Sequence, residues 1–200
     1  MEYNETRREN TPPVKWLRIL FYLHGISLIL AVLSLLPVND TLFTWISRAS
    51  KAGAVVCLFL LVPLHPRFRK AAGFSLAAWI TALGASAGIL GIILLLTSSI
   101  CSIVGVYHEY NTFSEITAQS DPVLGKRWKG LFYWELLSGV ILGTVGSLIG
   151  TVLVLVAPES GTLVSTGISW ALEILTLVLQ GMYLWYLRRT TLLLKEKSEL

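Results

Sequence analysis

Charge is scarce in this chain: Asp, Glu, Lys and Arg make up 14% of its 200 residues, whereas an ordinary soluble domain carries about 25%. From Ala71 to Tyr107, 37 residues pass without one Asp, Glu, Lys, Arg or His. Cysteine is equally rare. The two present, Cys57 and Cys101, both fall inside apolar runs, where a free thiol behaves as a small hydrophobe; they exclude a disulfide framework and a thiolate metal site. Also missing are a GxSxG elbow, a phosphate-cradling glycine loop and an HExxH helix. Nucleophilic hydrolysis, nucleotide chemistry and zinc proteolysis therefore have no signature here. No catalytic residue, cofactor or metal is expected, and the chain does not read as an enzyme.

What remains is apolar. Hydrophobic residues are 54% of the chain and the mean hydropathy is +0.68. The composition predicts an all-α, polytopic transmembrane helix bundle forming one integral membrane domain over 1–200. A polar head (1–15) is followed by apolar segments at 16–36, 42–64, 71–107, 131–157 and 162–187, with a polar inner segment at 108–130 and a basic tail at 188–200. The head carries Arg7, Arg8, Lys15 and Arg18. The apolar stretch behind it is too long for a signal-peptide core and no small-residue cleavage site follows, so the first helix is expected to stay as a signal-anchor. Asn4-Glu5-Thr6 and Asn39-Asp40-Thr41 match the short glycosylation pattern, which chance produces often.

The long run from Ala71 to Tyr107 decides the topology. As one helix it would measure roughly 55 Å, against an apolar bilayer core of about 30 Å. A single crossing leaves 7 of the 16 Lys and Arg residues on the inner side. Folding the run into a hairpin puts 14 there: four of the head, then Arg67, Arg69 and Lys70, then Lys126, Arg127 and Lys129, then Arg188, Arg189, Lys195 and Lys197. Arg48 and Lys51 alone stay outside. The positive-inside rule thus favours a hairpin and six crossings, with both termini cytoplasmic. Five crossings with one long third helix is the alternative. The turn is expected between Gly84 and Gly91. Asp121-Pro122 reads as an N-cap followed by proline at the first helical position. Trp128, Tyr133 and Trp134 are expected to form an interfacial aromatic belt.

Two faces carry interest. Gly139, Gly143, Gly146, Ser147 and Gly150 give the fourth segment a stripe of small residues, which allows close helix packing. Gly84, Gly88, Ala77 and Thr81 suggest a second such face. In the fifth segment Thr166, Ser169, Glu173, Thr176 and Gln180 follow helical spacing along one stripe. Glu173 is expected level with Gly146 and Ser147, making a hydrogen-bonded seam; the alternative is a polar path lining a cavity. His24 is the other ionisable group well inside a span, and is read as a neutral, hydrogen-bonded histidine. In the six-crossing arrangement His24 and Glu173 lie at different depths and do not meet. His108, Glu109, Glu115 and Asp121 have no ligand spacing and are read as solvated.

These readings point to a structural, accessory or regulatory membrane protein acting through helix packing; the alternative is a small transporter or channel subunit with a polar path along Glu173 and Gln180. Expected partners are the bilayer, anionic lipid head groups at the inner basic flanks, and a membrane-protein partner or second copy, but not nucleic acid. An enzyme would need two or more of His24, Glu135, Glu173 and His108 in one pocket. They are not expected to converge.

Overall fold

The computed structural model describes residues 12–33, 40–84, 89–156 and 158–197. The chain is all-helical, 93% helix with no strand among the described residues. Helix α1 spans Pro12–Leu33, α2 Asp40–Leu60, α3 Phe68–Leu83, α4 Ile89–Ala118, α5 Pro122–Leu136, α6 Gly143–Val156 and α7 Pro158–Lys197; six π-helical residues, Leu137–Leu142, join α5 to α6. Four stretches are long and apolar enough to cross a membrane: Pro13–Leu33, Leu42–Leu60, Ile89–Ala118 and Thr162–Lys197. Many large apolar side chains on them face outward, among them Ile29, Ile89, Leu96 and Leu163. Such a surface suits lipid rather than water.

The helix ends follow local chemistry. Proline lacks an amide donor, and Pro63 and Pro66 stop α2 in a turn held by Leu64 N–H donating to the Leu61 carbonyl (2.9 Å) and Phe68 N–H to that of His65 (3.1 Å). Asp121, in extended conformation, accepts from the Leu124 amide at 2.9 Å and Pro122 opens α5, the cap the sequence signals. Where α5 ends, the Ser138 hydroxyl donates back to the Glu135 carbonyl (3.1 Å). A side chain competing with the backbone ladder there accompanies the wider π turn.

The run from Ala71 to Tyr107 is broken. Helix α3 stops at Leu83, with the Gly84 amide donating to the Ile80 carbonyl, and α4 starts at Ile89; 85–88, with Gly88, lie outside the described residues. The two helices pack antiparallel. Ser98 donates to the Ala78 carbonyl (2.9 Å), and a Cβ on Gly105 would lie 2.9 Å from Ser75 Oγ. Glycine at that crossing permits backbone contact that any side chain would block.

Three expected boundaries move. The polar segment 108–130 is helical on both sides of its cap, since α4 continues into it to Ala118 and α5 begins at Pro122. The tail from Arg188 is not separate either, because α7 stays helical to Lys197. Pro158 to Gly161 form the first turn of α7, not a free loop. For the first two the cause is packing beyond the apolar zone. Trp128, expected at an interface, is fully buried, its indole N–H donating to Thr190 at 3.1 Å and its ring stacked on Phe113. Tyr133 and Trp134 are exposed, as a belt requires.

Neighbouring helices close a ring. Ser50 of α2 donates to the Leu23 carbonyl of α1 (2.8 Å), and Trp79 of α3 to the Arg48 carbonyl of α2 (3.2 Å). Ser114 of α4 donates to the Gly125 carbonyl of α5 (2.7 Å), and the His24 ring of α1 meets Tyr183 of α7 edge-on at 4.5 Å. With α3 on α4 and α5 on α7, six helices surround a common centre. The densest core lies at one end, around Leu17, Leu61, Phe68, Phe113, Trp128 and Leu187. Arg67 and His65, in the turn before α3, both pair with Glu115 of α4 on its rim.

Candidate functional site: a polar cavity inside the helix ring

Above that core the ring does not close tightly. A cavity of about 530 Å3 lies between the helices, within the range of small-molecule sites. Its floor is polar. Glu109 of α4, nearly fully buried, accepts a hydrogen bond from the Tyr183 hydroxyl of α7 at 2.5 Å. Glu135 of α5 accepts from the Tyr110 hydroxyl at 2.6 Å. The two tyrosine rings lie 5.5 Å apart, so the carboxyls and phenols form one cluster across three helices. His24 stands beside Tyr183, and Gln180, one turn before Tyr183, also lines the cavity. Its Oε1 is buried without a hydrogen-bond partner. An orphaned acceptor of this kind costs about 1–3 kcal/mol until a donor reaches it.

The other wall is basic. Arg48 and Lys51 of α2 line the same cavity near Trp79 and Ser98, Arg48 placing its guanidinium 5.5 Å from the Trp45 ring centre, a cation–π distance. They are the two basic residues that the charge count leaves outside. A cationic end and an acidic end therefore share one chamber.

The predicted site residues divide. Gln180 and His24 line the cavity; Ser169, Glu173 and Thr176 do not, being exposed on the outer face of α7. The hydroxyls of Thr166, Ser169 and Thr176 donate to carbonyls of their own helix, those of Thr162, Ser165 and Leu172, and so make no seam with α6. The small-residue stripe fares similarly. A Cβ on Gly146 would approach Ile168 of α7 to 2.7 Å, which is close packing, but against an apolar partner. Gly139 has open space around it; the surroundings of Gly143, Ser147 and Gly150 lie outside the described residues. Of the second face, a Cβ on Gly84 would lie 3.4 Å from Leu94, and Thr81 bonds its own helix at Ala77.

The four polar residues near the end of α4 go four ways. His108 stacks on Phe74, Glu109 enters the cavity, Glu115 pairs with Arg67 and Asp121 caps α5. Glu109 is thus a functional candidate that was read as solvated. Its neighbours in sequence, Tyr110, Thr112, Phe113 and Ser114, are all buried, and the pattern of a polar residue among aromatics was the available signal. His24 and Glu135 do converge in one chamber, against expectation, while Glu173 and His108 stay out. His24 meets α7 at Tyr183, ten residues past Glu173, roughly 15 Å along the helix. Comparison with known proteins returns no match, whether to a family model, a curated protein or a solved structure.

Proposed function

We propose that this chain is a six-crossing membrane protein that takes a small polar solute into the cavity between α1, α2, α3, α4, α5 and α7, as a small transporter or transporter subunit does. The cavity itself carries the reading. Interiors are close-packed when only stability is at stake, and polar groups within membrane helices are costly. A chamber of about 530 Å3 holding two carboxyls, a histidine and an orphaned amide oxygen is hard to account for by packing alone. It supports the transport reading over a purely structural role, with the polar path through Gln180, Glu109 and Glu135 in place of Glu173. Six helical rods, and a charge count that puts 14 of the 16 Lys and Arg residues inside when the uncharged run crosses twice, support the six crossings and cytoplasmic termini.

The test uses the full chain in proteoliposomes, exposed to a pool of labelled small amines, carboxylates and zwitterions. Retention of at least one solute, lost in Glu109→Gln, is the expected result. Equal retention by protein-free vesicles would overturn the transport reading. A second reading, an intramembrane acid–base enzyme, is favoured by the convergence of His24, Glu109 and Glu135. It predicts that a retained solute is recovered chemically changed, which mass spectrometry of the same vesicles reads directly.

A further inference from the structure

We infer that the solute is a small zwitterion, carrying an ammonium group that can donate hydrogen bonds and, at its other end, an anionic oxygen group. The inference rests on the cavity reading above and adds the charge class. At the floor, Glu109 and Glu135 each accept one tyrosine hydroxyl through Oε1, and a carboxylate offers about four lone-pair sites. Both keep acceptor capacity. Gln180 adds a buried oxygen with no donor. Three acceptors from three helices, beside two phenol rings, are suited to a group that only donates and is positively charged; an ammonium has three N–H donors and no acceptor, and is attracted to aromatic faces.

The opposite wall selects the other end. Trp79 of α3 bonds the Arg48 backbone, and its neighbour Ala78 accepts from Ser98 of α4. Eleven residues of α4 separate Ser98 from Glu109, roughly 16 Å at 1.5 Å per residue. Arg48 therefore stands well apart from the carboxyls within one chamber, with Lys51 lining the wall between, and a solute with opposite charges at its ends lies along it with each end paired. A simple cation would meet Arg48 and Lys51, and a simple anion would meet the two glutamates. Like-charge contacts of that kind work against the singly charged ligand, most strongly at the buried Glu109. The same ammonium-and-anion chemistry occurs in free amino acids and in the ethanolamine phospholipid headgroup.

The experiment measures equilibrium binding and thermal unfolding of the full chain purified in detergent. The soluble probes are γ-aminobutyrate and phosphoethanolamine, with butylamine, ethanolamine, butyrate and inorganic phosphate as their singly functional halves. The lipid probes are short-chain phosphatidylethanolamine and phosphatidylglycerol. A zwitterion that binds saturably at least tenfold tighter than its halves is expected, and Arg48→Gln, Lys51→Gln and Gln180→Leu should each weaken it about tenfold. Response to the phosphatidylethanolamine probe alone assigns the headgroup as source; response to a soluble zwitterion assigns a free solute. Arg48 and Lys51 are exposed, so their variants keep the test valid where a floor variant fails to fold. Binding of a simple amine or a simple anion as tight as that of the zwitterion, lost in Gln180→Leu, overturns the charge class while leaving the cavity as a solute site. Zwitterion binding unmoved by all three variants overturns the placement. No binding of any probe to the folded chain overturns both this inference and the cavity reading.

Discussion

Single residues decide how closely the helices approach. Helix α5 offers a matched pair. A Cβ on Gly125 would come within 2.8 Å of the Ala118 Cβ and 2.9 Å of the Ser114 carbonyl oxygen, whereas one on Gly130 meets nothing within 4 Å. Gly125→Ala should therefore destabilise by about 1–3 kcal/mol, as overpacking does. Gly130→Ala should stabilise by about 0.5–1 kcal/mol through helix propensity. Unfolding in detergent by a graded denaturant separates the two signs. Trp128 is the second case. Fully buried against Phe113, Tyr110, Tyr183 and Tyr186, it should cost about 3–5 kcal/mol when cut to alanine, read as a lowered midpoint in the same assay. Nothing in its sequence position distinguished it from Trp134, six residues on, which is exposed. Both are aromatic residues near a membrane boundary. Only the contact with Thr190, 62 positions away, makes one of them core.

At the scale of elements, the long uncharged run was the most legible part of the chain. Its length exceeded one crossing, and the structure breaks it at Leu83, beside the glycine where a turn was sought. Charge had already weighed the two foldings through groups far from the run itself. With Cys57 and Cys101 replaced by serine, single cysteines at Ser120 and Ser198 should react with an impermeant reagent only from the inner side, and one at Ser160 only from the outer side. Labelling of Ser120 from outside would restore the five-crossing arrangement. Less legible was the continuity of α4 beyond Tyr107 and of α7 beyond Leu187. Hydropathy marks where lipid contact ends, but a helix persists as long as its backbone bonds and packing partners do. Thr112 and Thr190, both fully buried and both donating to their own helix carbonyls, sit in stretches that a polarity reading assigns to water.

At the scale of the whole molecule, the ring of helices turns scattered polar residues into a chamber. Residues from α1, α2, α3, α4, α5 and α7 meet there, some far apart in sequence, as His24 and Tyr183 are at 159 positions. The outward-facing Glu173 stands apart from it. Glu173→Gln should therefore leave solute retention in proteoliposomes within about twofold of the parent, while Glu109→Gln abolishes it. The reverse pattern would return the polar path to the outer stripe of α7. Exposed pairs such as Arg67 with Glu115 should matter little to this comparison. Surface ion pairs contribute about 0–1 kcal/mol, and Glu115→Ala should shift stability by no more than that.

The sequence by itself determined the helical class, the apolar lengths suited to a bilayer and the cap at Asp121, and its charges favoured a break in the uncharged run over one long helix. Each depends on neighbours along the chain: hydropathy summed over a window, a proline beside an aspartate, charges counted at segment ends. Periodicity also placed Gln180 on a polar stripe, but it could not say which residues of that stripe face inward. Tertiary structure alone decided that Gln180 enters the ring while Glu173 leaves it, and that Glu109 is buried rather than solvated. The reason is geometric. A residue's environment is set by the helices packed around it, and those partners come from distant parts of the chain that no local pattern records.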